Sequence, residues 1–214
     1  MNPTRVLVFC DDLYHPAAVV RAGLAPLGAS GEFAFDWIEN AAGWNPAGLR
    51  DYAAVLLSKS NVCSAKDETP WLAGPNEGAL RDYVRAGGGL VAVHSGTASY
   101  RDWPIMRAVL GGVFANHPPP CPVTVEPVGG HPLCAGVEAA FTVHDEHYQM
   151  LLDDPALDVF LRTRSAHGAQ VAGWTRREGR GRVAVLTPGH FPEVWLHASM
   201  QRLLVNALHA VVAG

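Results

Sequence analysis

The residues best able to do chemistry in this chain are its histidines, ten in 214 residues. Several of them fall just after short apolar runs. The segments that follow those runs read Asp11-Asp12-Leu13-Tyr14-His15-Pro16, Ser58-Lys59-Ser60-Asn61, His94-Ser95-Gly96-Thr97, His144-Asp145-Glu146-His147-Tyr148 and Pro188-Gly189-His190-Phe191-Pro192-Glu193. Imidazole can serve as general base, electrophile or metal ligand near neutral pH. A carboxylate can orient an imidazole or take a proton itself. His94, His117 and His190, with Glu146 or Asp145, make a donor set that suits a zinc-type site. Their spacings are long, with no HExxH-like fingerprint, and an isolated histidine is more often a satisfied polar group than a ligand. His131 and His197 are accordingly read as surface or structural residues, and His209 as packing or solvent-facing.

Asp145 to Tyr148 is the densest titratable run. Adjacent carboxylates on an extended segment point to opposite faces, so one of Asp145 and Glu146 is expected to face a cleft. Tyr148 would add a hydroxyl or a stacking face suited to a sugar ring. Ala92-Val93-His94-Ser95-Gly96 has the small-x-X-x-small form of a nucleophile elbow, a strained strand-to-helix turn that lifts its central side chain above a sheet. The centre is His94, neither Ser nor Cys, which suits acid–base or ligand chemistry better than acyl transfer. Ser95 could be a nucleophile if a base reached it, but serine is common at helix caps and capping is the favoured reading.

Elements that could deliver these residues are legible. Arg5–Cys10, Phe33–Ile38, Tyr52–Leu57 and Leu90–Val93 read as buried strands. Pro16–Leu27, Asn76–Ala86 and Trp103–Leu110 read as helices between them, the second stopped by Gly87-Gly88-Gly89 and the third by Gly111-Gly112. That alternation predicts a parallel sheet covered on both faces. The second half is strand-rich, with Val123–Glu126, Phe141–Val143, Asp158–Arg164, Val171–Thr175 and Arg182–Thr187. The last two are joined by the hairpin signal Arg176 to Gly181. One long amphipathic helix, Val194–Val212, is expected to close the chain. In an open α/β sheet ligands bind beyond the carboxyl ends of the strands, where the five polar segments lie.

Composition narrows the function classes. The formal charge of −4 lacks the basic excess that phosphate neutralisation needs, so no nucleic-acid partner is expected. No apolar stretch approaches the roughly 18–20 residues of a membrane helix. The chain runs at once into its first strand without the pattern of a secretion signal, so a cytoplasmic location is expected. Cys10, Cys63, Cys121 and Cys134 share no CxxC spacing and are expected as reduced thiols. No linker divides the chain, so residues 1–214 are read as one domain, and self-association into a homo-oligomer is expected.

Taken together, Gly87 to Thr97, Trp103, Leu110 to Phe114, His117, Phe141 to Tyr148, Trp174, Gly179 to Val183 and Thr187 to His190 resemble the ThuA family. These are trehalose-utilisation proteins with a class I glutamine-amidotransferase-like fold, and the resemblance covers almost the whole chain. It implies a flavodoxin-like three-layer αβα sandwich with a mostly parallel central sheet and a late antiparallel hairpin. Amidotransferases of that fold carry cysteine at the elbow and a late histidine followed closely by glutamate. Here the elbow holds His94, and His190 is followed by Glu193, so the fold carries over and glutamine hydrolysis does not.

The family's link to disaccharide catabolism, where dehydrogenases make keto-sugars, implies an enzyme acting on a sugar or keto-sugar. The reaction expected is that of an acid–base isomerase or a hydrolase/lyase, with or without a divalent metal such as zinc or manganese. The roles expected are His190 or Glu146 as general base, and His94 and His117 as metal ligands or electrophiles. His94, Glu146 and His190 thus form the catalytic set, and His15, Ser95 and Tyr148 contact the substrate. The rival from another class is a non-catalytic sugar- or metabolite-binding module. A third reading is a scaffold protein on the same fold.

Overall fold

In β1 (Thr4–Phe9) the side chains of Val6 and Val8 enter one apolar cluster, and those of Leu7 and Phe9 enter another. A strand that alternates between two apolar faces must be covered on both sides, and the remaining elements supply the cover. The computed structural model describes residues 2–153 and 157–212. The chain continues through α1 (Ala17–Ala29), β2 (Phe33–Ile38), β3 (Ala54–Leu57), α2 (Ala79–Arg85), β4 (Gly89–Val93), α3 (Pro104–Leu110), β5 (Gly112–Asn116), β6 (Cys121–Pro127), β7 (Phe141–Asp145), β8 (Gln149–Leu152), β9 (Asp158–Ser165), β10 (Gly168–Glu178), β11 (Gly181–Leu186), α4 (Pro192–Leu196) and α5 (Ala198–Val212).

The main sheet runs β2-β1-β3-β4-β11-β10-β9-β6-β7. From β2 to β11 all pairings are parallel. Counted among themselves, those five strands stand in the order 2-1-3-4-5, the flavodoxin-like order with its switch point between β1 and β3. α1, α4 and α5 pack on the face that receives Val6 and Val8. α2 and α3 pack on the face of Leu7 and Phe9. The apolar stripe of α5 (Leu203, Leu204, Ala207, Leu208 and Val211) is buried, and burying each leucine is worth about 1.5–3 kcal/mol.

The flavodoxin-like α/β sandwich expected from the sequence is therefore present, and its antiparallel part extends well beyond one hairpin. β10 and β11 do form the hairpin, turning at Gly179-Arg180. β9, β6 and β7 then continue it outward as an antiparallel wing. β5 and β8 pair as a separate two-stranded ribbon, and neither segment has a strong strand signature. The single closing helix is two helices. His197 leaves the helical region (φ −61°, ψ 133°), and its Nδ1 accepts the Ser199 N–H at 3.2 Å, so the side chain caps the start of α5. α2 starts at Ala79, because Gly74–Asn76 form a separate 3-10 turn. All four cysteines are free thiols. No helix among the described residues is long and apolar enough to cross a membrane.

Candidate active site

Among the described residues, the non-glycine residues with positive φ are Asp11 (75°), His94 (49°) and Ser99 (64°). Asp11 and His94 stand at the carboxyl ends of β1 and β4. Strained backbone of this kind collects at functional sites and persists only where its surroundings hold it. At the β4 turn the holding contacts are explicit. A Cβ on Gly96 would lie 2.0 Å from the Leu57 carbonyl oxygen, so only glycine lets the turn pass the end of β3. His94 is fully buried and its Nδ1 lies 2.7 Å from the Thr187 carbonyl oxygen, while Thr97 Oγ1 donates to the His94 carbonyl at 2.8 Å. A carbonyl only accepts, so His94 Nδ1 carries the hydrogen and Nε2 presents its lone pair on the side of Glu146. Burial drives the His94 imidazole down to about 4, so it is neutral at neutral pH.

The turn after β1 brings His15. Asp12 is buried, and its Oδ1 accepts the main-chain N–H groups of Tyr14 and His15, each at 3.1 Å. The same oxygen lies 2.7 Å from His15 Nδ1, and Oδ2 accepts the Ser60 N–H at 2.9 Å. Burial pushes the Asp12 carboxyl up, but the His15 imidazole and the main-chain N–H groups outweigh it and hold it at about 2. The fully buried Lys59 donates from Nζ to the carbonyl oxygens of Cys10 at 3.2 Å, Glu39 at 3.0 Å and Asp11. It therefore ties together the ends of β1, β2 and β3.

β7 settles the parity of the two adjacent carboxylates. Asp145 points inward, 1% exposed. It accepts the Gly189 N–H at 2.8 Å and the His190 N–H at 3.0 Å. Burial raises it to about 7 against those two hydrogen bonds. Glu146 faces the cleft. Its Oε2 lies 3.3 Å from His94 Nε2 and 3.2 Å from His190 Nδ1, and its Oε1 lies 3.4 Å from His117 Nε2. Burial opposes ionisation of Glu146, but the neighbouring His190 outweighs it and holds the carboxyl well below the usual range. The Glu146 carboxylate in turn raises His190.

His15, His94, His190 and Glu146 each offer one ligand atom, all within 4.8 Å of one another, so these four could hold a metal ion. The partition of the histidines differs from the expected one. His15, expected as a substrate contact, belongs to the four-residue cluster. His117, expected as a ligand beside His94, stands outside that cluster on the other oxygen of Glu146. Its Nδ1 lies 2.8 Å from the Pro118 carbonyl, which leaves Nε2 free to accept a proton. Tyr148 is buried against the site, its ring stacked on that of His94 at 3.9 Å and tilted against Phe114 at 4.3 Å. Ser95 is fully buried with an unpartnered Oγ and does not line the cleft, so it is not placed to touch a substrate.

The cleft has a volume of about 480 Å³, and its walls include Asp12, Tyr14, Glu68, Ser99, His117 and Tyr148. A larger cavity of about 780 Å³, beside Tyr52 and Tyr83, is lined by no histidine. Chemistry, and not size, therefore marks the candidate cleft. Sequence reasoning gave no role to Asp12, Lys59 or Glu68. For Asp12 a signal existed, since a carboxylate three residues before a histidine can reach back to that ring. His131, His197 and His209 are away from the cleft, on Asp158, Phe141 and Glu32 respectively.

A family model described as trehalose utilisation, ThuA, matches residues 5–209. No curated protein sequence matches the chain significantly. Among solved structures, a protein described as ThuA-like from Parabacteroides merdae ATCC 43184 superposes with a TM-score of 0.80 at 17% identity, covering 99% of this chain and 91% of that one. Another described as ThuA-like, from Bacteroides uniformis ATCC 8492, gives 0.77 at 21% identity, over 98% and 91% of the two chains. A cytoplasmic protein from Salmonella typhimurium gives 0.68 at 14% identity, over 97% and 98%. At these identities the structures show a shared fold.

Proposed function

The chain belongs to the ThuA, or trehalose-utilisation, family, and on that premise we propose that it is an enzyme acting on a disaccharide-derived sugar or keto-sugar by acid–base chemistry, as an isomerase or as a hydrolase/lyase. The observation that carries this reading is the position of Glu146. One of its oxygens faces His94 and His190 beneath the cleft, and the other faces His117 at the mouth. An amidotransferase reaction has no support, since the elbow offers His94 and no thiol.

In this reading His117 takes a role other than the one expected from the sequence. His117 is the proton carrier. Its Nε2 is not taken up by the Pro118 carbonyl, it is 31% exposed at the rim, and Glu146 Oε1 lies 3.4 Å from it. A keto-sugar placed with the carbon next to its carbonyl against His117 would lose a proton to Nε2. Return of that proton to the neighbouring carbon completes an isomerisation. Departure of an oxygen substituent from the next carbon, with that proton passed to the leaving oxygen, completes an elimination. Tyr148 lines the cleft beside the sugar, its ring packed between His94 and Phe114. His94 and His190 lie beside the other oxygen of Glu146.

The test is incubation of the protein with keto-disaccharides and ketoses in D₂O, followed by NMR. Deuterium entering the carbon beside the carbonyl, and falling away in His117→Ala, is the expected result. A sugar that binds in the cleft with neither exchange nor turnover would mean a binding module and would overturn the catalytic reading.

A further inference from the structure

Three imidazole nitrogens around Glu146 are buried and lack any hydrogen-bond partner, namely His15 Nε2, His94 Nε2 and His190 Nδ1. A buried polar atom left unpaired is costly, and several in one place require an explanation. Hydrogen bonding to Glu146 does not supply it. The carboxylate is near enough to His94 and His190, but neither contact has hydrogen-bond geometry. The nitrogens converge on a shared position. We infer that His15, His94, His190 and Glu146 bind one divalent transition-metal cation.

Four further observations support the inference. First, the ring nitrogens that would not bind the ion in His15 and His94 are both engaged, His15 Nδ1 by the Asp12 carboxylate at 2.7 Å and His94 Nδ1 by the Thr187 carbonyl at 2.7 Å. Carboxylate and carbonyl partners of this kind fix the tautomer and orientation of metal-binding histidines. Second, the separations of Glu146 from His94 and His190, 3.3 and 3.2 Å, match the edge of a tetrahedron whose bonds are about 2.0–2.1 Å, which is roughly 3.3 Å. Third, Asp12 and Glu146 line the cleft while no arginine or lysine does, and the Lys59 ammonium is spent on carbonyl groups. Fourth, the loops carrying His15 and His190 are anchored independently of any ion, by Asp12 and Asp145.

The donor set also selects the class of ion. Three imidazoles and one carboxylate suit Zn²⁺ and its first-row neighbours. They disfavour Ca²⁺ and Mg²⁺, which take oxygen ligands, and they offer no thiolate to a soft ion. Such an ion, when bound, polarises a carbonyl or lowers the pKa of a water molecule. The inference deepens the reading of the cleft as an active site and rests on that reading for its purpose, while its chemistry stands on the four side chains.

The experiment uses whole protein stripped with chelator and titrated with Zn²⁺ by calorimetry, then with Co²⁺ by visible absorption. His15→Asn, His190→Gln and Glu146→Gln are compared with His167→Ala, an exposed control. His94→Ala is left out because it could collapse the elbow, and each variant used is checked by circular dichroism. One equivalent of Zn²⁺ is expected in wild type and control. Affinity should fall in His15→Asn and His190→Gln by more than the roughly 10–100-fold that losing an outer partner costs, and the Co²⁺ bands should change in both. No saturable binding by wild type, or unchanged affinity and Co²⁺ bands in folded His15→Asn and His190→Gln, overturns the inference. A protein that binds the ion but turns over no sugar leaves this site standing and removes the catalytic reading. Turnover with no metal bound in any sample does the reverse.

Discussion

Asp145 accepts the main-chain N–H of His190 at 3.0 Å, and that of Gly189 at 2.8 Å, so the neighbour of Glu146 in sequence holds the loop that brings His190 to Glu146. One strand end thus supplies both the cleft-facing carboxylate and the brace for its partner. Trp195 adds a second brace, donating from Nε1 to the Gly189 carbonyl at 2.6 Å.

Asp145→Asn tests that brace. The amide keeps one oxygen but turns an NH₂ group toward a main-chain N–H, leaving one buried donor unpaired. A loss of about 1–3 kcal/mol in denaturant unfolding is expected, together with weaker turnover. An unchanged unfolding midpoint would show that Asp145 does not hold the loop.

Asp12→Asn should reveal an acid-dependent contribution. The folded Asp12 carboxyl lies at about 2 against an ordinary 3.8, a depressed value. Its stabilisation is therefore fully present above 3.8 and is lost as pH falls through about 2. The shift corresponds to about 2 kcal/mol. Urea unfolding of wild type and Asp12→Asn at pH 6, 4 and 3 should show a gap that is full at pH 6 and narrows below pH 4. A gap independent of pH would assign the effect to packing.

Gly96→Ala addresses the elbow. The added methyl would lie 2.0 Å from the Leu57 carbonyl oxygen, a backbone atom that cannot move without disturbing β3. Overpacking of this kind costs about 1–3 kcal/mol or more, and here it would also displace His94. Reduced thermal stability is the expected outcome, and a crystal structure of the variant would show the shifted turn. A variant as stable as wild type would mean that the turn has room the geometry denies.

The parallel half of the fold was legible because each of its strands is a local apolar run followed by polar residues, as at Leu90–Val93 before His94. The strand ends therefore named the cleft, and His15, Glu146 and His190 with it. The antiparallel wing was less legible, because the β5–β8 ribbon joins residues near 112 to residues near 150 with no turn signal between them. The sorting of His15 into the floor and His117 onto the rim was not legible at all. It depends on where two loops sit in space, and residue spacing carries no record of that. The break at His197 was hidden because a helical stripe continues across it, while the break itself comes from a side chain capping the next helix.

His117→Ala separates catalysis from construction. The residue touches Glu146 Oε1 and the Pro118 carbonyl and belongs to no part of the four-residue cluster. Truncation at a partly exposed rim position should change stability by no more than about 0.5 kcal/mol. Zn²⁺ affinity should also stay close to that of wild type. Turnover should fall by about 10²–10⁴-fold, the usual worth of a positioned proton carrier. Glu146→Gln should lose both turnover and metal affinity, because its two oxygens serve both the floor and the rim. Parallel measurement of turnover and Zn²⁺ binding in the two variants decides the matter. If His117→Ala loses metal as fully as Glu146→Gln does, His117 is a ligand and the proton carrier must be sought among the remaining cleft residues, Glu68 and Tyr148 first.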